Sequence, residues 1–91
     1  MVKHNKGDLQ VWWIPQVPMK AFYVGVKTKE EAALLLYTLA EYDKFQFENN
    51  IKPDYSNAGG LNIFGDNGWE DWYDEDDNDI DILIDKLYYK K

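Results

Sequence analysis

Residues 28–50, T-K-E-E-A-A-L-L-L-Y-T-L-A-E-Y-D-K-F-Q-F-E-N-N, form the one long stretch that sustains a helical period, and the rest of the chain must fold around them. Thr28 followed by Glu31 reads as a capping box: the hydroxyl accepts from the Glu31 amide, and the Glu31 carboxylate reaches back to the start of the helix. Glu30 and Glu31 also place negative charge at the positive end of the helix dipole. Ala32, Leu35, Leu36, Leu39 and Tyr42 recur at steps of three and four, which predicts one buried stripe. Pro53 disfavours helical geometry at Lys52 and sets an outer limit to the helix. Such a helix organises a small sheet; it names no reaction.

Two strands precede it. Residues 9–17 alternate, with Leu9, Val11 and Trp13 on one face and Gln10, Trp12 and Ile14 on the other, and Pro15 and Pro18 confine this strand to an edge or cut it short. Residues 21–27 place Phe22, Val24 and Val26 inward and Tyr23, Gly25 and Lys27 outward. The short Pro18-Met19-Lys20 link suits an antiparallel pair, and Gly25 permits a bulge or a close approach to its outward face. After the helix, residues 51–60, I-K-P-D-Y-S-N-A-G-G, read as a loop. Residues 61–64 and 69–73 flank G-D-N-G, in which Asn67-Gly68 is a hairpin signal. The acidic run at 74–79 has no apolar residue and reads as a solvated loop. In the tail, Ile80, Ile82 and Ile84 alternate as in a strand, whereas Ile80, Leu83, Ile84, Leu87 and Tyr88 fit a helix. Acids before this segment and lysines at its end favour the helix. The order ββαββα predicts an α+β fold: a small antiparallel sheet with the long helix across one face and a short C-terminal helix. Residues 1–91 are expected to form a single domain, with 1–7 frayed.

Composition narrows the chemistry. There is no cysteine and a single histidine, which leaves little for a zinc site, a disulfide or a Ser-His dyad. No apolar run approaches the ~18 residues of a membrane span, so the cytosol is the expected location. Every basic residue is lysine: seven against six acids through residue 53, then three against eleven. Without the arginine fork that reads phosphate and guanine, direct nucleic-acid binding is not expected. Asp74, Asp76, Asn78, Ile80 and Asp85 fall at ligand positions of a calcium loop, but Asp79 stands where that loop needs glycine and Asp81 where it needs an apolar residue. No metal and no cofactor are therefore expected. The carboxylates sit in one like-charged run, without a pair whose environments differ, and the chain reads as non-enzymatic.

Two features point to binding. One helix covers one face of a sheet, so Trp12, Ile14 and Tyr23 on the other must meet the tail helix, a second copy or a ligand; a homodimer is the expected solution. In residues 49–60, Asn49, Asp54, Tyr55 and Asn57 offer donors and acceptors on a backbone opened by Gly59 and Gly60. That loop could read a polar small molecule, or its side chains could serve only to cap the helix and satisfy the turn.

Three motifs carry a family resemblance: Q-V-W-W-I-P-Q-V-P-M-K-A-F-Y-V, L-L-Y-T-L-A-E-Y-D-K-F-Q-F-E-N-N-I-K-P-D-Y-S-N-A-G-G-L and W-E-D-W-Y-D-E-D-D-N-D. From Gln10 to Asp79 the chain resembles a family of short tailed-phage and prophage proteins known as superinfection-exclusion proteins. The tail is not part of that resemblance. The motifs include Trp69 and Trp72 beside Trp12, and these join the candidate binding residues. The resemblance implies no catalytic residue. It implies an accessory protein that acts by occupying something: a host or phage protein, in superinfection exclusion or counter-defence; or a small signalling ligand, such as a nucleotide, held by residues 49–60. A third possibility, an acidic mimic of DNA, ranks last because the charges are confined to one short run.

Overall fold

The computed structural model describes residues 3–51 and 56–89. Its elements are β1 (Leu9–Ile14), β2 (Phe22–Val26), α1 (Lys29–Glu48), β3 (Ala58–Gly65), β4 (Gly68–Asp71) and α2 (Ile80–Ile84), the last continuing into a π-helical turn, Asp85–Tyr89. The fold is α+β, as the periodicities predict. The four strands form one antiparallel sheet in the order β2-β1-β3-β4. β1 is therefore a central strand, and the prolines that follow it end it at Ile14 instead of making it an edge.

Pairing fixes the two faces. Leu9, Val11 and Trp13 stand opposite Val26, Val24 and Phe22 on one side and Ile63, Leu61 and Gly59 on the other. This inner face meets Ala32, Ala33 and Leu36 of α1 and Ile80 of α2 in one buried cluster. Full burial of Val11, Leu36, Leu61 or Ile80 there contributes about 1.5–3 kcal/mol each. Phe22 has the expected orientation but is 43% exposed, because β2 lies at the sheet edge.

The helix starts as read. Glu31 N–H donates to Thr28 Oγ1 (3.0 Å), and Glu31 Oε1 accepts from the Thr28 amide (3.1 Å) and the Lys27 amide (2.6 Å). Thr28→Ala is expected to cost about 1 kcal/mol, read as a lower urea midpoint with unchanged slope. The helix ends earlier than Pro53 requires. Asn50 adopts φ 60°, its N–H donates to Phe47 O (3.1 Å), and Ile51 N–H donates to Gln46 O (2.8 Å). This is a Schellman stop with asparagine in the left-handed position. The buried stripe also shifts by one residue: Tyr42 is 59% exposed and Asp43 is buried in its stead.

Three further points concern the boundaries of these elements. β3 begins at Ala58, so Ala58, Gly59 and Gly60 belong to a strand and not to the preceding loop. In the β3–β4 hairpin, Asp66 and Asn67 make the turn, and Gly68 supplies the positive φ of 106° that the loop needs. Of the segment expected to be frayed, residues 1–2 lie outside the described residues; Gly7 N–H donates to Phe64 O (2.9 Å), and His4 packs on Phe64 and Trp69.

Candidate functional site

The outer face of the sheet carries most of the candidate aromatics. Tyr23, Trp12 and Gly60 form one row across β2, β1 and β3, and Gly25, Gln10, Asn62 and Asp71 form the next. Phe64 and Trp69 follow, edge to face at 5.2 Å, with His4 edge-on to Trp69 at 4.9 Å. Tyr23 is 59% exposed, while Trp12 and Trp69 are half-buried. A groove of about 420 Å³ crosses this face between His4 and Trp69 on one side and Gly25 and Lys27 on the other. The tail helix does not cover it. α2 packs beside α1 on the inner face, where Ile80 is buried and Leu83, Ile84 and Tyr88 abut the core.

Two adjacent glycines place the two indoles. Trp12 lies opposite Gly60 and Trp13 opposite Gly59. A Cβ on Gly60 would stand 2.6 Å from Trp12 Nε1, and one on Gly59 would run into the six-membered ring of Trp13. The glycines are therefore covered by indoles, not left open for a partner; Gly60 is buried and Gly59 partly so.

A second concavity, about 510 Å³, opens between the two helices over the start of β3. Trp13, Tyr37, Asn57, Gly59, Asp81 and Tyr89 are among its walls. Tyr37 stacks on Tyr88 at 4.4 Å and meets Tyr89 edge-on. Burial, then repulsion from Asp79, pushes the Asp81 carboxyl above its ordinary range. Burial, then the charge of Glu41, likewise raises the Tyr89 phenol.

The other candidates separate. Asn49 caps α1, its Nδ2 donating to Phe45 O (2.8 Å). Asn57 Nδ2 donates to the buried Asp43 Oδ2 (2.6 Å), which ties the chain entering β3 to α1. Trp72 packs against the inner core, and its N–H donates to Leu61 O (3.0 Å). Asp54 and Tyr55 lie outside the described residues. Sequence reasoning missed Asp43; a helical step of seven from Leu36 was the available signal.

The acidic run is a built turn. Asp74 Oδ1 accepts from the backbone N–H groups of Asp76 (2.8 Å) and Asn78 (2.9 Å), and the bond from Asn78 leads in lowering the Asp74 pKa. Asp79 then caps α2, accepting from the Asp81 amide at 3.1 Å. The Ile80 position of the supposed calcium loop is thus the first residue of a helix, with its side chain in the core. Among the described residues, no group of three or more acidic or histidine side chains is placed to hold a metal ion, and no helix is long and apolar enough to cross a membrane.

Residues 8–89 match the family described as Superinfection exclusion gene product 17. The chain belongs to this family. The superinfection exclusion protein of Salmonella phage P22 is 49% identical to the chain over 80 residues, covering 74% of this chain and 78% of that protein. The family match runs through residue 89, so it includes the tail helix that the motif resemblance left out. No solved structure matches the chain.

Proposed function

We propose that this member of the superinfection-exclusion family acts in exclusion of a second phage, without catalysis, by occupying a protein of the host or of the competing phage through the outer face of its sheet. The observation that carries this reading is the placement of both helices on the inner face. Tyr23 is left exposed and Trp69 meets His4 edge-on, while Trp12 shares a smaller concavity of about 180 Å³ with Gly60, Trp72 and Asp79–Asp81 where α2 begins. Trp and Tyr side chains gathered on one face are the usual anchors of a protein interface. Trp12 is central, flanked by Tyr23 and covering Gly60.

Trp12→Ala is expected to reduce exclusion of a challenge phage by about tenfold or more in plating efficiency, since an anchor of this type contributes ~2 kcal/mol or more to binding. Retained melting behaviour would show that the loss is one of contact. A Trp12→Ala protein that excludes as well as the parent would remove the outer face from consideration.

A second reading, capture of a small ligand, draws on the inter-helix concavity, which joins Asn57 and Gly59 of the original candidate loop. Asp81 and Asp85 line it as well, so its field suits a cationic or neutral polar ligand better than a nucleotide. Tyr37→Ala together with Asp81→Asn tests this reading without touching the outer face.

A further inference from the structure

We infer that the free edge of β2 is a self-association surface: two copies join there antiparallel about Val24 and extend the sheet to eight strands. The inference is independent of the exclusion reading.

Backbone direction sets the register. Phe64 exchanges bonds with the β1 side of the sheet, its N–H with Asp8 O (2.8 Å) and its carbonyl with Gly7 N (2.9 Å). Leu61 O points the other way and accepts from Trp72 N–H. Alternation along the antiparallel ladder then directs the polar groups of Val11 toward β2, where Val24 is its partner. The N–H and C=O of Val24 face β1, whereas those of Tyr23 and Gly25 face the open edge.

Pairing two β2 strands with Val24 opposite Val24 sets Tyr23 opposite Gly25 of the second copy, and Gly25 opposite its Tyr23. Both are hydrogen-bonded pairs, so the four outward donors and acceptors of each strand are matched by the same four of its copy. Side chains agree with backbone. A Cβ on Gly25 would meet nothing within 4 Å, and the 420 Å³ groove opens over it. The Tyr23 ring of the second copy falls on that glycine. Within one chain, Trp12 lies over Gly60 and Trp13 over Gly59 in the same manner. The pairing also sets Phe22 opposite Val26 on the inner face.

Charge selects this edge over the other. β4 presents exposed Glu70 and Asp71, with the 74–79 run just beyond, and like charges there oppose pairing. β2, F-Y-V-G-V, carries no charge and no proline, and lies in the half of the chain where lysines outnumber acids. A chain of net charge −7 meets least self-repulsion here.

The test uses the full chain. Sedimentation of the parent protein is expected to show a concentration-dependent dimer, and Gly25→Lys a monomer with unchanged circular dichroism. The chain has no cysteine, so single thiols report the register directly. Non-hydrogen-bonded partners lie with Cα atoms about 4.5 Å apart, within disulfide range. Val24→Cys is therefore expected to cross-link into a dimer under mild oxidant. Phe22→Cys, whose twofold mate lies four residues further along and so roughly 13 Å away, is not. A parent protein that stays monomeric at its highest soluble concentration overturns the inference. So does a dimer in which Phe22→Cys cross-links as readily as Val24→Cys. Should Gly25→Lys fail to fold, the pair of thiol variants still decides the question.

Discussion

Gly59→Ala is expected to destabilise the fold by about 1–3 kcal/mol, with Gly60→Ala in the same range. Neither glycine has a positive φ, so backbone conformation is not the reason. Each lies directly opposite a tryptophan, and the added methyl would meet a rigid indole. The two responses should nonetheless differ. Trp13 is 6% exposed, and a Cβ on Gly59 would also stand 3.1 Å from Leu36, so the methyl meets two core side chains at once. Trp12 lies on the outer face and can swing outward, which places Gly60→Ala at the lower end of the range. Gly60→Ala should also weaken exclusion, because it displaces the proposed anchor, while Gly59→Ala should act only through stability. Urea midpoints, near-ultraviolet circular dichroism and plating efficiency together separate these effects. If both alanine variants melt like the parent, the indoles do not rest on the glycines.

Asn57→Ala is expected to lower stability by about 1.5–3 kcal/mol, the usual contribution of a hydrogen bond to a charged group. Read from sequence, Asn57 is a loop residue whose loss would cost no more than about 0.5 kcal/mol. Its contact with Asp43 changes that expectation. Asp43 is 4% exposed, and the 2.6 Å bond from Asn57 helps compensate a carboxylate withdrawn from water. Asp43 has a further partner, so removing Asn57 weakens its surroundings without stranding the charge. Asn57→Asp should be far worse, since it sets a second carboxylate against the first. Early melting with activity lost only in proportion to unfolding would mark Asn57 as structural. Lost exclusion in a normally stable Asn57→Ala protein would instead return it to the binding candidates.

Much of the fold was legible because it is written locally. The Thr28–Glu31 box, the alternation about Trp12 and Trp13, and the spacing from Ile80 to Tyr88 all act within one or two turns or a few strand residues. The stripe on α1 was less well read. Tyr42 fits a hydrophobic pattern better than Asp43 does, and only the arrival of Asn57 from 14 residues downstream makes burial of the carboxylate tolerable. A-G-G before Leu61 looks like a loop for a similar reason. Glycine disfavours strands on its own, and the compensating contact comes from tryptophans 46 and 48 residues earlier.

The sequence by itself determined the order of helices and strands, which side chains share a face of β1 and β2, and that the acids gather in one half of the chain. It also determined that the outer aromatics needed covering, because that follows from the alternation of β1 and β2. Tertiary structure alone decided that α2 lies beside α1 and leaves Tyr23 exposed on the outer face. It likewise made β1 central and β2 an edge, and set Trp12 and Trp13 on Gly60 and Gly59. The physical reason is range. Capping and periodicity depend on neighbours a few residues apart, whereas the choice of face and of register depends on the whole buried surface and on pairings between distant strands.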